Sequence, residues 1–433
     1  MCRYKLFVIL ALAFTCITRV HAASWNAMTY NSIRIAYFQR GDALGRGEAD
    51  SFLIRAKNAQ YNYILTPFYL QPGDTDDYIV IKSNFTRALQ RADAFGLRLI
   101  PEIHMGDAHS DHWNNARLWN PNIRMTRFRA LDGKYGCPSF ANDPTGIDWT
   151  FVELCEALRD AFKQAAVSYP LEFFHVGHNE PTYYNRLIIG SCKTGKGMSS
   201  PYCGERQSWD IKTATETCAI DCNFINRFNG SKSEAVQSLV VGEVFRRMNQ
   251  VQKVFGTKTK LMIFADMWDP MYFYQTVITW KNDTVRTAPG ILSLPGLPDD
   301  SARARFRRNV ILMPWTFQEC AGPDSSGHYD ASATFSAFAA NGFNFVYTQA
   351  FHTGRDQLEV EDVGMTRNWH DAALRFRQNC LGYAAVSWIF RYTRPPSPAF
   401  NIIESLYRAN AADLPAGDFV QLPPELPADR GPH

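Results

Sequence analysis

Short apolar runs rich in β-branched and aromatic residues recur along the chain, with room for a helix between successive runs. They fall at Ile33 to Tyr37, Tyr63 to Phe68, Leu97 to Ile103, Glu172 to Val176, Lys260 to Ala265, Val310 to Trp315, Phe343 to Thr348 and Ala384 to Trp388. Runs of this length and composition predict strands buried on both faces. The intervening segments carry apolar positions at helical spacing: Gly47 to Ala59, Ile79 to Phe95, Asp148 to Ser168, Lys232 to Phe255, Ala331 to Ala340 and Arg367 to Cys380, with a last helix near Ile402 to Ala411. Strand and helix alternate from end to end, which calls for a parallel sheet with helical crossovers. Eight such repeats predict an α/β fold, a (β/α)8 TIM barrel forming one domain. The alternative is a doubly wound open sheet. That fold usually shows a Gly-rich phosphate turn after its first strand, and Tyr37-Phe38-Gln39-Arg40-Gly41-Asp42 is not one.

Two segments are long for barrel loops. One runs from His104 to about Thr145 after the third strand, the other from His178 to about Gly230 after the fourth. Both follow strand C-termini, the face on which barrel enzymes build their sites. At the N-terminus, Arg3 and Lys5 precede an apolar run from Leu6 to Ile17, and small residues flank a cleavage-type position at Ala22. This pattern predicts a secretory signal peptide over residues 1–22, too short for a membrane span. The barrel is then expected over residues 23–411. A Pro-rich tail over 412–433 is expected to be disordered.

Removing the leader changes the charge. Arg3, Lys5 and Arg19 leave with it, and 42 basic residues then face 42 acidic ones. A neutral chain gives no reason to expect a nucleic-acid or anionic-membrane partner. Eight cysteines remain: Cys137, Cys155, Cys192, Cys203, Cys218, Cys222, Cys320 and Cys380. In an oxidising compartment an even count predicts up to four bridges, with a stapled loop around Cys192 to Cys222. Sequons at Asn84, Asn229 and Asn282 permit N-glycans in a eukaryotic host.

The strongest chemical signal is Phe174-His175-Val176-Gly177-His178-Asn179-Glu180-Pro181, where an apolar strand ends and delivers an amide and a carboxylate to its C-terminal edge. A general acid belongs there. A Glu among His and aromatic groups can have its pKa raised by partial burial, and so hold a proton near neutrality. The other strand ends carry Glu102 and His104, then Asp266, Trp268 and Asp269, then Trp315, and finally Trp388. Sugar rings stack their C–H faces on indoles, and their hydroxyls bond carboxylates and amides. Aromatic residues make up 14% of the chain, with 10 Trp and 19 Tyr, which suits such a wall.

These residues resemble the catalytic barrel of the family-20 β-N-acetylhexosaminidases. The family's third-strand motif, roughly Pro-Glu-Ile-Asp-x-Pro-Gly-His, is matched by Pro101-Glu102-Ile103-His104 followed by Gly106-Asp107-Ala108-His109. The fourth-strand motif, His-Ile-Gly-Gly-Asp-Glu, is matched by His175-Val176-Gly177-His178-Asn179-Glu180. The resemblance implies a glycoside hydrolase acting on N-acetylhexosamine-containing glycans, with no cofactor. Glu180 would be the general acid, and Asn179 would position an acetamido group that attacks the anomeric carbon. His104, His109, His175, His178, Asp266, Trp268, Asp269, Trp315, Tyr347 and Trp388 would contact substrate. The chain departs from the family at Asn179, where the family has Asp, and at His104, where it has the Asp of the third-strand motif. An amide cannot supply the charge that stabilises an oxazolinium.

Asn-Glu-Pro after a fourth strand also resembles clan A retaining glycosidases. Their second carboxylate stands at the end of strand seven, about 5 Å from the first, where this chain has Gln349. A barrel that binds carbohydrate without turnover is the reading from another class. His104, Asp107, His109, Asp111 and His112 are close enough in sequence to suggest zinc, but they lack the His-x-His spacing of many barrel hydrolases, and the first strand offers no ligand. No catalytic metal is expected.

Overall fold

The computed structural model describes residues 32–38, 41–47, 49–67, 77–102, 149–177, 232–265, 268–271, 276–278, 284–286, 290–316, 331–351 and 363–387. Eleven strands lie among them. They are β1 (Ile33–Tyr37), β2 (Tyr63–Pro67), β3 (Arg98–Glu102), β4 (Phe173–His175), β5 (Lys260–Phe264), β6 (Thr276–Ile278), β7 (Thr284–Arg286), β8 (Val310–Met313), β9 (Trp315–Thr316), β10 (Asn344–Phe351) and β11 (Cys380–Ser387). The helices are α1 (Gly41–Arg46), α2 (Asp50–Asn58), α3 (Asp77–Ala94), α4 (Trp149–Ala165), α5 (Lys232–Phe255), α6 (Asp300–Asn309), α7 (Ala331–Ala340) and α8 (Val363–Arg375).

The sheet runs β1-β2-β3-β4-β5-β8-β10, and β11 pairs in parallel with both β10 and β1. The ring therefore closes on eight parallel staves, with β9 extending the sixth stave beyond Pro314. This is the expected barrel, and closure excludes the open doubly wound sheet. β6 and β7 form a separate antiparallel hairpin.

Alternation along each strand divides the core in two. One face of the staves fills the barrel: Ile33, Ile35, Tyr37, Leu65, Ile100, Phe173, Met262, Phe264, Met313 and Val346 belong to one buried cluster. The other face packs on the helices: Ala36, Ile64, Leu99, Phe174, Ile263, Phe345 and Tyr347 join Phe52, Leu89, Leu158 and Phe335 in a larger one. The staves are buried on both faces, which is why the sequence shows apolar runs rather than apolar–polar alternation.

At the N-terminal end of the barrel Tyr63 donates a hydrogen bond to the Glu172 carboxylate, and Arg98 pairs with the same group. Burial pushes the Tyr63 hydroxyl well above its ordinary pKa, so it stays protonated and donates. The seam between first and last staves depends on Gly382. Its φ is +151°, and a Cβ there would lie 1.7 Å from the Ile33 carbonyl oxygen. The register of β10 on β11 shifts by one residue at this point, Phe345 facing Cys380 and Val346 facing Gly382. Only glycine fits such a bulge.

α6 is absent from the periodicity reading. Asp299 caps it, accepting from the Ala302 N–H at 2.7 Å, but its sequence DSARARFRRN buries only Phe306. One apolar residue gives no helical period to detect. The last stave begins four residues earlier than expected, because α8 ends at Arg375 and Phe376 opens a turn whose carbonyl accepts from the Asn379 and Cys380 N–H groups. The expected helix at 402–411 and the 412–433 tail lie outside the described residues.

Cys155 and Cys380 stand as buried thiols, outside any disulfide. The expectation of four bridges is therefore corrected to at most three. Cys155 lies in the cluster between staves and helices, and Cys380 begins the last stave in the same cluster. The other six cysteines lie outside the described residues. No described helix is long and apolar enough to cross a membrane.

Candidate active site

The C-terminal ends of the staves bring Tyr37, Glu102, His175, Phe264, Met313 and Trp315 to the inner side of the barrel. Glu102 and His175 occupy matched positions on adjacent strands. Glu102 follows Ile100 on the inward phase of β3, and His175 follows Phe173 on that of β4. Both side chains are fully buried, and His175 Nδ1 lies 3.0 Å from Glu102 Oε1. The imidazole meets the Phe264 ring edge-on, with centroids 4.5 Å apart.

β4 is short, and the chain leaves it in a fixed direction. Val176 N–H donates to the Met262 carbonyl, and Phe264 N–H donates to the Gly177 carbonyl at 2.8 Å. Gly177 has φ +70°, a left-handed conformation that favours glycine. Its N–H donates to His175 Nδ1 at 3.1 Å. Three residues further on stands Glu180.

The substrate-contact expectations divide. His175 and Trp315 lie on the inner side, and Trp315 sits opposite Thr348 of β10. Trp268, Asp269 and Tyr347 do not, and for these three the expectation is corrected. Trp268 is wholly buried between staves and helices. It stacks on Phe306 of α6 with centroids 5.5 Å apart and meets the edge of Phe343. The tight turn after β5, in which Trp268 and Asp269 N–H groups both donate to the Ala265 carbonyl, folds the indole back over the outside of the barrel. Asp269 accepts from Thr334 Oγ1 at 2.6 Å and from the Met271 N–H at 2.8 Å, tying this turn to α7. Tyr347 falls on the outward phase of β10, against Phe335, Trp369 and Tyr383. Glu180, Asn179, His104, His109, His178, Asp266 and Trp388 lie outside the described residues.

Sequence reasoning named Glu102 at a strand end but gave it no catalytic or substrate-contact role. The available signal was its phase: two positions after an inward Ile100, a carboxylate in an apolar strand must face the barrel interior. Among the described residues no group of three or more His, Cys, Asp or Glu is placed to hold a metal ion. The histidines and aspartates that suggested zinc lie outside them.

No protein-family model matches the sequence, and no curated protein matches it. Solved structures resemble it in three dimensions. A family-20 catalytic module of the pneumococcal exo-β-D-N-acetylglucosaminidase StrH is 11% identical, over 92% of this chain and 86% of that one, with a TM-score of 0.44. A GH5-4 broad-specificity endoglucanase from Bacteroides salanitronis is 12% identical over 83% and 84%, with a TM-score of 0.43. A GH18 chitinase from Pseudoalteromonas aurantia is 9% identical over 88% and 100%, with a TM-score of 0.41. Likenesses this remote say nothing of activity. The barrel stands on its own strand pairing.

Proposed function

We propose that this protein is a secreted glycoside hydrolase acting on N-acetylhexosamine-containing glycans. The observation that carries the reading is the position of Asn179-Glu180-Pro181, immediately beyond a stave whose last residue, His175, faces the barrel interior at its C-terminal end. In a closed (β/α)8 barrel that edge is where catalytic groups stand. Glu180 is assigned as the acid that protonates the glycosidic oxygen and then activates water. Asn179 is assigned to hold the 2-acetamido group, which serves as nucleophile in place of an enzyme carboxylate. Gln349 on the seventh stave favours that route, because an amide there cannot attack the anomeric carbon. Trp315, in the interior cluster at the C-terminal end of the sixth stave, is assigned to meet a sugar face.

The test is hydrolysis of matched 2-acetamido and 2-hydroxyl aryl glycosides. The 2-acetamido series is expected to be turned over and the 2-hydroxyl series to be very poor. Glu180→Gln is expected to lower the rate on a poor leaving group by about 10²–10⁴-fold, the usual contribution of a positioned acid. Asn179→Asp should keep or raise the rate by restoring charge at the oxazolinium-like state. Efficient turnover of the 2-hydroxyl series would sink the substrate-assisted mechanism. Sugar binding without turnover of either series would make the chain a carbohydrate-binding barrel.

A further inference from the structure

The staves start, and the helix before each of them ends, at the N-terminal face of the barrel, opposite the candidate active site. Seven segments build that face, each running from the last turn of a helix to the first residue of the next stave: 55–63, 91–98, 162–173, 252–260, 306–310, 337–344 and 372–380. Together they carry 12 Lys and Arg residues and two acidic ones, Asp93 and Glu172. The whole chain has 45 basic and 42 acidic residues, so everything outside these segments is net acidic. Both acids are engaged. Asp93 accepts from the Ser168 N–H and hydroxyl, and Glu172 accepts from Tyr63 and Arg98. From the fifth stave to the eighth, the segments hold seven basic residues and no acidic one. These segments adjoin one another. Lys260 Nζ donates to the Arg308 carbonyl at 3.1 Å, a Cβ on Gly342 would lie 3.5 Å from Arg307 Cδ, and Asn379 donates to the Phe343 carbonyl. Lys258, Arg308, Arg375 and Arg377 are exposed.

Helix dipoles explain part of this charge. A basic group in a last turn faces the negative end of its helix and is favoured there, which accounts for Lys253, Arg307, Arg308 and Arg375. It does not account for Lys258, Lys260 or Arg377, which stand beyond the helix ends. Burial lowers the Lys260 pKa, so its charge is held there against a desolvation cost, and like charges gathered on one face repel. Charge kept at such a cost suits an anionic ligand. The described residues expose one large hydrophobic side chain, Leu374. With no exposed aromatic ring, the arc offers unpaired bases no stacking platform, and a single leucine does not anchor a protein in a bilayer. Guanidinium groups match carboxylate and sulfate through a two-bond fork. We propose that this arc, built around Lys258, Arg308, Arg375 and Arg377, binds an acidic polysaccharide, a chain of sugars bearing carboxylate or sulfate groups. It is an anchoring surface at the end of the barrel opposite the candidate active site, and its binding does not depend on hydrolysis.

The probes are heparin, which carries sulfate and carboxylate, polygalacturonate, which carries carboxylate alone, and dextran, which is neutral. Wild type should bind the first two at about 0.15 M salt, more weakly as salt rises, and should ignore dextran. Binding of one acidic chain alone supports the proposal and names the group recognised. Lys258→Gln, Arg308→Gln and Arg377→Gln combined remove three charges from exposed positions of the arc. This variant should lose affinity by on the order of tenfold, the effect of three exposed ion pairs, while its melting temperature holds or rises. Arg87→Gln, Gln90→Glu and Ser301→Glu combined change the net charge equally at exposed positions outside the arc, and should bind like wild type. Binding of neither acidic chain, or equal affinity in the two combined variants, overturns the proposal. Tighter binding of double-stranded DNA or of phosphatidylserine vesicles also overturns it, and would assign the face to a nucleic acid or a membrane. None of these measurements involves turnover. A chain that hydrolyses no glycoside would sink the proposed function and leave the anchoring surface to be decided by binding.

Discussion

Replacing Trp268 with alanine should destabilise the protein by about 3–5 kcal/mol, the usual cost of emptying an aromatic site in a close-packed core. The indole is fully buried and stacked on Phe306. Denaturant titration should show the loss for Trp268→Ala, and Phe306→Ala should show a loss of similar size. Because the two rings touch, the double variant should cost less than the sum of the singles. A sugar-wall residue would behave otherwise: its loss would weaken glycan binding and leave stability nearly unchanged. The contrast shows how a residue's neighbours decide its meaning. A Trp one turn beyond a strand end suits a binding wall until a helix is known to lie over it. That helix, α6, fully buries Phe306 alone, so Trp268 could not be assigned to the core by sequence pattern.

At the scale of elements, the seam between β1 and β11 is the most sensitive joint. Gly382→Ala places a methyl group on the Ile33 carbonyl, and no side-chain rotation relieves a clash with backbone. The expected cost is on the order of 3 kcal/mol or more. It should appear as a large drop in the denaturation midpoint, with β1 and β11 amides losing exchange protection first. A variant with wild-type stability would mean that the seam adapts. Most of the barrel was legible at this scale. Both faces of every stave are covered, so continuous apolar runs marked β1, β2, β3, β4, β5, β8 and β10 to within a few residues. α5 and α7 were read to their true ends because several apolar residues repeat at helical spacing. α6 and the start of β11 were not legible, since one depends on a single buried ring and the other on a turn that interrupts an apolar stretch. The site was legible in part for a related reason. Sequence places residues at strand ends, but inward or outward depends on phase, and a one-residue step sends Tyr347 to the helices and leaves Glu102 and His175 inside.

The whole molecule should weaken in alkali. Burial pushes the Cys380 thiol up from 9.0 to about 12 in the folded state. A raised folded-state pKa means that the stabilisation is complete below about pH 9. It is lost as the pH climbs from there towards about 12, because the unfolded chain ionises first. Burial also raises Tyr61, Tyr63 and Tyr169 above the ordinary tyrosine value of 10.0, so their losses begin later. Melting temperature should therefore start to fall near pH 9. Cys380→Ala should be less stable at neutral pH yet move the onset of this fall towards 10. An unchanged onset would assign the early loss to another group. Barrel closure also has a consequence in time. The first and last staves meet through residues as far apart as Ser32 and Leu381, 349 positions along the chain. At roughly 5–20 residues per second, ribosomal synthesis takes ~20–70 s to cover that stretch. For that whole interval β1 has an open edge ready to pair with another chain. Folding yield in the cell should thus hinge on how well the nascent chain is shielded before its final stave emerges.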